Sequence, residues 1–227
     1  MAYLKKFTTV DEYNSFKRSL TKNYISLISS TGEVKYDKGL PAGIFIQHID
    51  GNLYTTDAWT AGGFPNEQAN GVAVVASECA FVIAKNDVSS STYWASDTST
   101  LIDGVITAVD KAAAQADFSG AENTALITSL DTSKAAYLCA NFTFPNGKKG
   151  YLPASGELWV ANNHKTEIKA ALSLIGGIAL LEGNSSIRYW TSTQYDARNA
   201  WAVGWAGNYI SNYKKTESYY VRPFTTL

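Results

Sequence analysis

The chain has 227 residues, a formal net charge of −1 and 17% charged residues. Its length allows one large domain with a sizeable core. Its near-neutral charge excludes the basic surface expected of a protein that binds nucleic acid or an anionic membrane. The abundance of Gly and Tyr, with 17 and 14 residues, favours a loop-rich globular domain over a helical bundle.

The first residues bear on where the chain is made. Lys5 and Lys6 are followed by polar residues such as Thr8 and Asp11, where a secretory signal would have an apolar segment. Apolar runs such as residues 71–76 are too short to span a bilayer. We therefore expect synthesis and folding in a cytoplasm without membrane insertion. Later display outside a cell, as part of an assembled particle, is compatible with this expectation.

Residues 1–40 differ in texture from the rest and are predicted to be an N-terminal appendage. Residues 10–20 have the spacing of an amphipathic helix. Residues 25–28 and 34–36 have the composition of two short strands around a turn. We expect this appendage to mount the main domain, residues 41–227, on another protein or to support homo-oligomerisation.

Beyond residue 41 the pattern becomes one of strands and turns. Residues 43–49 and 53–56 are predicted to form a hairpin, because the intervening Asp50 and Gly51 favour the positive φ angles of a tight turn. Residues 72–76 and 81–84 are strongly apolar and are predicted to be buried strands.

Three helical regions are predicted next. Residues 100–116 place Leu101, Val105, Val109 and Ala112 at helical spacing. Residues 123–130 and 134–140 form the second region, and a turn is predicted at residues 144–147.

The clearest helix is predicted over residues 155–175. Ser155 is the expected cap and Glu157 lies in the first turn. Ile168, Leu172 and Ile175 form its buried stripe, and the glycines at 176 and 177 end it. Short aromatic strands are predicted after residue 187, at residues 189–190, 200–205, 209–210 and 219–221. The chain is thus predicted to have an α+β fold.

Residues that could carry out catalysis or hold a metal are sparse. His48 and His164 lie on unrelated elements, so neither has an obvious nucleophile to activate. Cys79 and Cys139 lie among apolar residues, which favours buried free thiols, and no other Cys or His stands at ligand spacing. We expect no catalytic residue, no metal and no cofactor.

The C-terminal stretch has a different pattern. From Trp201 to Trp205, bulky and small residues alternate with a period of two, so the bulky side chains share one face of a strand and Ala202 and Gly204 share the other. An ordinary amphipathic antiparallel sheet would produce this pattern. A shallow recognition surface rich in Tyr, Ser, Asn and Gly would do so too.

Several motifs here form an ordered set. Leu152-Pro153-Ala154-Ser155-Gly156-Glu157-Leu158 is followed by Tyr189-Trp190-Thr191-Ser192-Thr193-Gln194-Tyr195, by Ala200-Trp201, and by Tyr220-Val221-Arg222-Pro223-Phe224. Together they resemble the C-type-lectin-like variable proteins of diversity-generating retroelements, found in phages and bacteria of the gut. The resemblance covers residue 40 to the end. It implies a C-type-lectin-like fold, in which two helices pack on small antiparallel sheets.

The resemblance also implies that the region of about residues 189–224 is varied by a reverse transcriptase that misreads template adenines. Asn codons varied in this way cannot yield Lys, Glu or Trp, so Trp201, Trp205, Lys214, Lys215 and Glu217 should be fixed. The candidate ligand-binding, variable residues are Asp196, Ala197, Arg198, Asn199, Ala202, Gly204, Ala206, Asn208, Tyr209, Ser211, Asn212, Tyr213, Thr216 and Tyr219.

We expect these residues to form one exposed patch in which Tyr209, Tyr213 and Arg198 contribute most of the binding energy, since Tyr and Arg dominate hot spots. Trp190, Trp201 and Val221 should form the buried frame. The triplets of calcium-dependent sugar-binding lectins are missing. The cysteine pair of formylglycine-generating enzymes, a related branch, is missing too, because no Cys follows Cys139.

The resemblance thus favours a binding protein over an enzyme. The expected role is that of a phage tail receptor-binding protein on a virion, whose partner is a host-cell surface protein or glycan and whose residues 1–40 contact other virion proteins. The alternatives are a variable protein displayed on a bacterial surface, a structural virion protein without a diversified site, and a formylglycine-generating-like enzyme domain.

Overall fold

The computed structural model describes residues 27–28, 34–35, 42–96, 99–129, 134–180 and 187–227. Within these ranges the chain forms two five-stranded sheets, a two-stranded sheet and six α-helices. The predicted α+β class is confirmed. None of the helices in these ranges is long and apolar enough to cross a membrane.

The short N-terminal sheet pairs β1 (Leu27–Ile28) with β2 (Val34–Lys35) in antiparallel fashion. These two strands lie within those predicted at 25–28 and 34–36, whose remaining residues lie outside the described ranges. The helix predicted for residues 10–20 lies outside the described residues, as does the rest of the appendage.

The first five-stranded sheet is antiparallel throughout and has the order β12, β6, β5, β3, β4. Its strands are β3 (Gly43–His48), β4 (Leu53–Tyr54), β5 (Ala69–Val75), β6 (Ala80–Ile83) and β12 (Phe224–Thr226). The predicted hairpin and the two predicted buried strands are confirmed, whereas β12 was not predicted. The second strand of the hairpin was predicted to extend to residue 56 but ends at Tyr54. The helix that follows is capped by Thr55, whose Oγ1 accepts a hydrogen bond from Ala58 N.

The second five-stranded sheet has the order β10, β9, β8, β11, β7, so β10 is an edge strand. Its strands are β7 (Ser89–Tyr93), β8 (Tyr189–Gln194), β9 (Asn199–Gly204), β10 (Tyr209–Lys214) and β11 (Ser218–Val221). The β8–β11 contact is parallel and the other pairings are antiparallel. Four of these strands were predicted, and β7 was not, because its polar run Ser89–Tyr93 has no apolar alternation.

The helices lie between and beside the sheets. They are α1 (Thr56–Gly62), α2 (Lys111–Gln115), α3 (Gly120–Ile127), α4 (Ala135–Asn141), α5 (Ser155–Asn163) and α6 (Lys165–Leu174), with a 3-10 turn at Asn66–Gln68. The helical regions predicted at 123–130 and 134–140 correspond to α3 and α4. The turn predicted at 144–147 is closed by a hydrogen bond of 2.8 Å from Gly147 N to Phe144 O.

Two apolar cores lie on the two faces of the second sheet. The first is shared with the first sheet and with α5 and α6, and it contains Ile46, Val72, Ile83, Leu158, Ile168, Leu172, Trp201, Val203 and Trp205. The second is covered by α3 and α4 and contains Trp94, Ile127, Ala135, Cys139, Trp190, Ala202 and Val221. The predicted alternation is confirmed, because Trp201, Val203 and Trp205 face one core while Ala202 faces the other.

The helix predicted over residues 100–116 is wrong except for its last turn. Gly104 has φ +77°, in the left-handed region that interrupts a helix, and Leu101 and Val109 are 49% and 71% exposed instead of buried. The segment instead runs alongside the end of β8, with which it forms backbone hydrogen bonds. Gln194 N donates to Ile106 O, and Ala108 N donates to Gln194 O. Long-range pairing has overridden a local helical pattern.

The helix predicted over residues 155–175 is two helices, separated at His164, which has φ −112° and ψ 24°. The cap is Ala154 and not Ser155. Glu157 Oε2 accepts from Ala154 N at 2.8 Å, while Ser155 Oγ contacts Thr191 Oγ1. The buried stripe is confirmed, and Gly176, with φ +70°, ends α6 as predicted.

Candidate ligand-binding surface

The register between β9 and β10 decides which of the predicted site residues meet. Tyr209 pairs with Gly204, Ser211 pairs with Ala202, and Tyr213 pairs with Ala200, without interruption over six residue pairs. Because side chains alternate across a strand, Tyr209, Ser211 and Tyr213 lie on the same face as Ala202 and Gly204. On the next strand, Trp190 pairs with Ala202 and extends this face.

Apart from Asn212, the predicted residues fall into three groups instead of one patch. The first group lies on this sheet face and contains Ala202, Gly204, Tyr209, Ser211, Tyr213 and Tyr219. The second lies at the turns that join β8 to β9 and β10 to β11, and it contains Asp196, Ala197, Arg198, Asn199 and Thr216. The third, in the opposite turn between β9 and β10, contains Ala206 and Asn208. The last two groups lie at opposite ends of β9, roughly 20 Å apart.

Burial makes a further correction. Ala202 is fully buried against the second core and Gly204 is also buried, so neither is the exposed small residue that the sequence predicted. Tyr219 is only 9% exposed. Asn212 is half-buried and lies on the opposite face of β10, since it follows Ser211 in the alternation. Within the first group Tyr209, Ser211 and Tyr213 are half-buried and open to solvent.

The cationic side chain of Arg188, which was not among the predicted site residues, lies at the centre of this face. Arg188 immediately precedes β8. Its guanidinium carbon lies 4.4 Å from the ring centre of Tyr213, 5.4 Å from that of Tyr219 and 5.8 Å from that of Tyr209. These distances are typical of cation–π contacts. We call Arg188, Tyr209, Tyr213 and Tyr219 the tyrosine–arginine cluster. Strand alternation in the sequence could have placed Arg188 on the same face as Trp190, but its contact with the tyrosines depends on strand register.

Hydrogen bonds and ring contacts fix the geometry of the tyrosine–arginine cluster. Tyr213 Oη donates to Tyr209 Oη at 3.2 Å, and the rings of Tyr213 and Tyr219 meet edge to face at 5.3 Å. Tyr219 Oη donates to the Glu217 carboxylate. Burial is the largest of the causes that raise the pKa of Tyr209 to about 12, and the hydrogen bond with Tyr213 is the next largest. The Tyr209 phenol is therefore protonated at neutral pH and offers a neutral hydroxyl beside the guanidinium.

The turn between β8 and β9 is held by Asp196. Its Oδ1 accepts from Arg198 N and Asn199 N, both at 2.7 Å, and Asn199 Nδ2 donates to the same carboxylate. Partial burial acts to raise the pKa of Asp196, but the hydrogen bonds from Asn199 and Arg198 hold it below its ordinary value. Arg198 itself is exposed and lies in this turn, whereas the arginine beside Tyr209 and Tyr213 is Arg188. Asp196 and Asn199 thus have a structural role in the turn.

The histidines and cysteines occupy unremarkable surroundings. His48 packs among the rings of Tyr54, Trp59 and Phe64, with Nε2 3.1 Å from Gln68 Oε1. Cys139 is buried and Cys79 half-buried, and both are free. In the described ranges, no three His, Cys, Asp or Glu side chains form a group that could hold a metal ion.

Comparisons with known proteins give one informative likeness. No protein-family model matches the sequence, and no curated protein matches it. The fold is similar to the crystal structure of a fimbrial protein from Bacteroides ovatus, with a TM-score of 0.58 and 15% sequence identity over 83% of this chain and 49% of that chain. The chain thus spans about half the length of that protein, and at this identity the likeness shows a shared α+β fold.

Proposed function

We propose that this protein is a binding protein and not an enzyme, and that it recognises a molecule on the surface of a host cell through the tyrosine–arginine cluster. The observation that carries the proposal is the placement of half-buried Tyr209 and Tyr213 beside Arg188 on the solvent-facing part of an edge strand. Tyr and Arg dominate binding hot spots, because both offer large contact areas with polar ends, and Tyr also loses little conformational entropy when it is fixed.

The chemistry of the cluster supports recognition. The raised pKa of Tyr209 makes its phenol a poor base and nucleophile at neutral pH. The two phenols in mutual contact offer donors, acceptors and flat apolar faces to a ligand. A host-surface protein or a glycan would use the same features, through aromatic packing and hydrogen bonds.

We further propose a C-type-lectin-like fold whose surface positions are diversified by a retroelement. The ordered motifs quoted above and the two helices α5 and α6 against antiparallel-rich sheets support this assignment. The test is the neighbouring DNA. The proposal requires a near-identical template repeat that differs only at adenines, beside a reverse-transcriptase gene. A gene flanked by neither would remove the proposed diversification.

Two settings for the binding protein differ in where it is displayed. The first is a phage tail tip, with residues 1–40 contacting other virion proteins. The second is a bacterial surface, and the likeness to a fimbrial protein favours this one. Immunogold labelling of phage particles and of the producing cells separates the two.

The binding experiment uses fluorescently labelled protein on a panel of whole gut bacterial cells and on a glycan array. The variant carries Tyr209→Ala and Tyr213→Ala together. The control is Tyr137→Ala, since Tyr137 is 55% exposed on α4, outside the cluster. We expect the double variant to lose at least about tenfold in affinity for any surface that the parent binds, and the control to bind normally. Equal binding by all three proteins would contradict the proposal.

A further inference from the structure

Tyr209 occupies the space that a side chain at position 204 would need. An ideal Cβ built on Gly204 would lie 2.1 Å from Tyr209 Cε1, 2.6 Å from Cδ1 and 2.7 Å from Cζ. Carbon atoms at van der Waals contact are about 3.5–4.0 Å apart. The Tyr209 ring therefore lies flat over the glycine, its direct cross-strand partner.

The backbone gives no other reason for a glycine at position 204. Gly204 does not have a positive φ, whereas Gly104 and Gly176 have φ +77° and +70°. Other residues can adopt its strand conformation, and glycine inside a strand is normally unfavourable. The contact with Tyr209 is thus the feature that requires the absence of a side chain.

Moving Tyr209 would rearrange the tyrosine–arginine cluster. The same ring lies 5.8 Å from the Arg188 guanidinium carbon, and its hydroxyl accepts the 3.2 Å hydrogen bond from Tyr213. A Cβ at position 204 must displace the ring by more than 1 Å to restore an ordinary contact, by the distances above. Because Tyr209 is half-buried on an edge strand, its ring has an open side toward solvent into which it can move, and this is the side a ligand would approach.

We infer that position 204 determines ligand specificity without contacting the ligand, by setting whether the Tyr209 ring lies flat against the sheet or projects from it. Gly204 is a positioning residue, and Tyr209 is the residue that contacts the ligand. The inference rests on the proposed role of the tyrosine–arginine cluster in binding, but the link between the two positions is testable without a ligand.

The first test is a double-mutant cycle of Gly204→Ala and Tyr209→Ala, followed by thermal unfolding. In the parent background we expect Gly204→Ala to lower Tm by roughly 2–4 °C. In the Tyr209→Ala background the same substitution should leave Tm unchanged or raise it, because the obstruction is gone and alanine is better than glycine in a strand. Equal effects in the two backgrounds would overturn the inference. If Gly204→Ala alone fails to fold, the inference requires that it folds once Tyr209 is also Ala.

The second test reports the position of the ring and not only stability. Tyrosine nitration is mapped by peptide mass spectrometry, with exposed Tyr137 as the internal reference. Gly204→Ala should increase the nitration of Tyr209 severalfold relative to Tyr137. Gly207→Ala should increase it less, since a Cβ there would lie 3.2 Å from Tyr209 Cδ1. Unchanged nitration of Tyr209 in Gly204→Ala refutes the positioning role.

The third test measures ligand choice on the same bacterial cells and glycan array. Gly204→Ala should change the rank order of the surfaces bound, by about tenfold for at least one of them, while Tyr137→Ala retains the parental order. A parent that binds none of these probes would defeat the proposed function and leave the first two tests to decide the link. An unchanged order together with increased nitration would overturn the specificity role alone.

Discussion

At the scale of single residues, frame residues differ from surface residues because their side chains are buried and have defined partners. Trp190, Trp201 and Val221 are at most 4% exposed, which confirms their predicted place in the frame. Trp201 Nε1 also donates to Ala108 O at 2.8 Å. The side chain of Arg198, in contrast, is exposed to solvent.

Trp201→Ala should therefore lower the free energy of unfolding by about 3–5 kcal/mol, since it removes a large buried ring and leaves a cavity. Urea unfolding measures the change. The control is Val109→Ala, which is 71% exposed and should change stability by about 0.5 kcal/mol or less. Near-equal stabilities of the two variants would show that Trp201 is not part of the frame.

Glu157 makes stability depend on pH. Burial raises the pKa of this carboxyl from its ordinary value of 4.5 to about 8, against the hydrogen bonds from Ala154 N and Tyr151 Oη. Between these two values the unfolded chain releases the proton while the folded chain retains it. The unfolded state then binds fewer protons, so this group lowers stability as pH rises from about 4.5 to about 8.

Glu157→Gln removes this titration. We expect the Tm of the variant, minus that of the parent, to become steadily more positive between pH 5 and pH 8, which covers most of the interval set by the pKa of Glu157. Taking the difference cancels the titration of all other groups. A difference that is constant with pH would mean that Glu157 titrates alike in the folded and unfolded chains.

At the scale of elements, β9 is packed on both sides and β10 is not. The bulky face of β9 meets the first core, and its small residues Ala200 and Ala202 meet the second. β10 pairs with β9 alone among the described strands. Variation is therefore expected to be better tolerated at the half-buried positions of β10, such as Ser211, than at the buried positions of β9.

Ala202→Leu should destabilise the fold by about 1–3 kcal/mol, because three further carbons must enter a packed core beside Trp190. The matched change Ala197→Leu, in the half-buried turn before β9, should have a smaller effect. Chemical denaturation of both variants decides this. Full tolerance at 202 would mean that β9 is less tightly packed than the structure indicates.

At the scale of the whole molecule, the last residues join the two large sheets. The chain leaves the second sheet at the end of β11 and enters the first sheet at β12, with Arg222 and Pro223 between them. Arg222 is 1% exposed, pairs with Asp87, and donates to the carbonyls of Ala84, Lys85 and Ile178 at 3.0 Å. One guanidinium thus connects the end of β6, the segment after α6 and the crossing between the sheets.

Arg222→Ala should lower the free energy of unfolding by about 3–5 kcal/mol, because it removes the buried ion pair with Asp87 and the hydrogen bonds to three carbonyls. Arg222→Lys should recover little of this loss, since an ammonium group cannot match the planar fork. Exposed Arg198→Ala is the control, and differential scanning calorimetry is the measurement. Full recovery by lysine would indicate that charge alone matters at position 222.

The sequence by itself determined those features that depend on local pattern. Short aromatic runs predicted β8 to β11, and alternation predicted the two faces of β9. The Asp-Gly turn predicted the first hairpin, and the glycine after α6 predicted its end. Each signal lies within a few residues of the structure it specifies. Where a local pattern competed with distant partners, as at residues 100–116, the pattern was misleading, because Gln194 supplied hydrogen bonds to that segment from far along the chain.

Only the tertiary structure decided which of the candidate site residues meet. The sequence could not show that Ala202 lies under a second core, that Arg188 and not Arg198 lies beside Tyr213, or that the Tyr209 ring covers Gly204. Each depends on strand register and on the packing of helices distant in sequence. A one-residue shift between β9 and β10 would exchange every side chain from one face to the other. Residue types set which interactions are available, and register and packing select those that form.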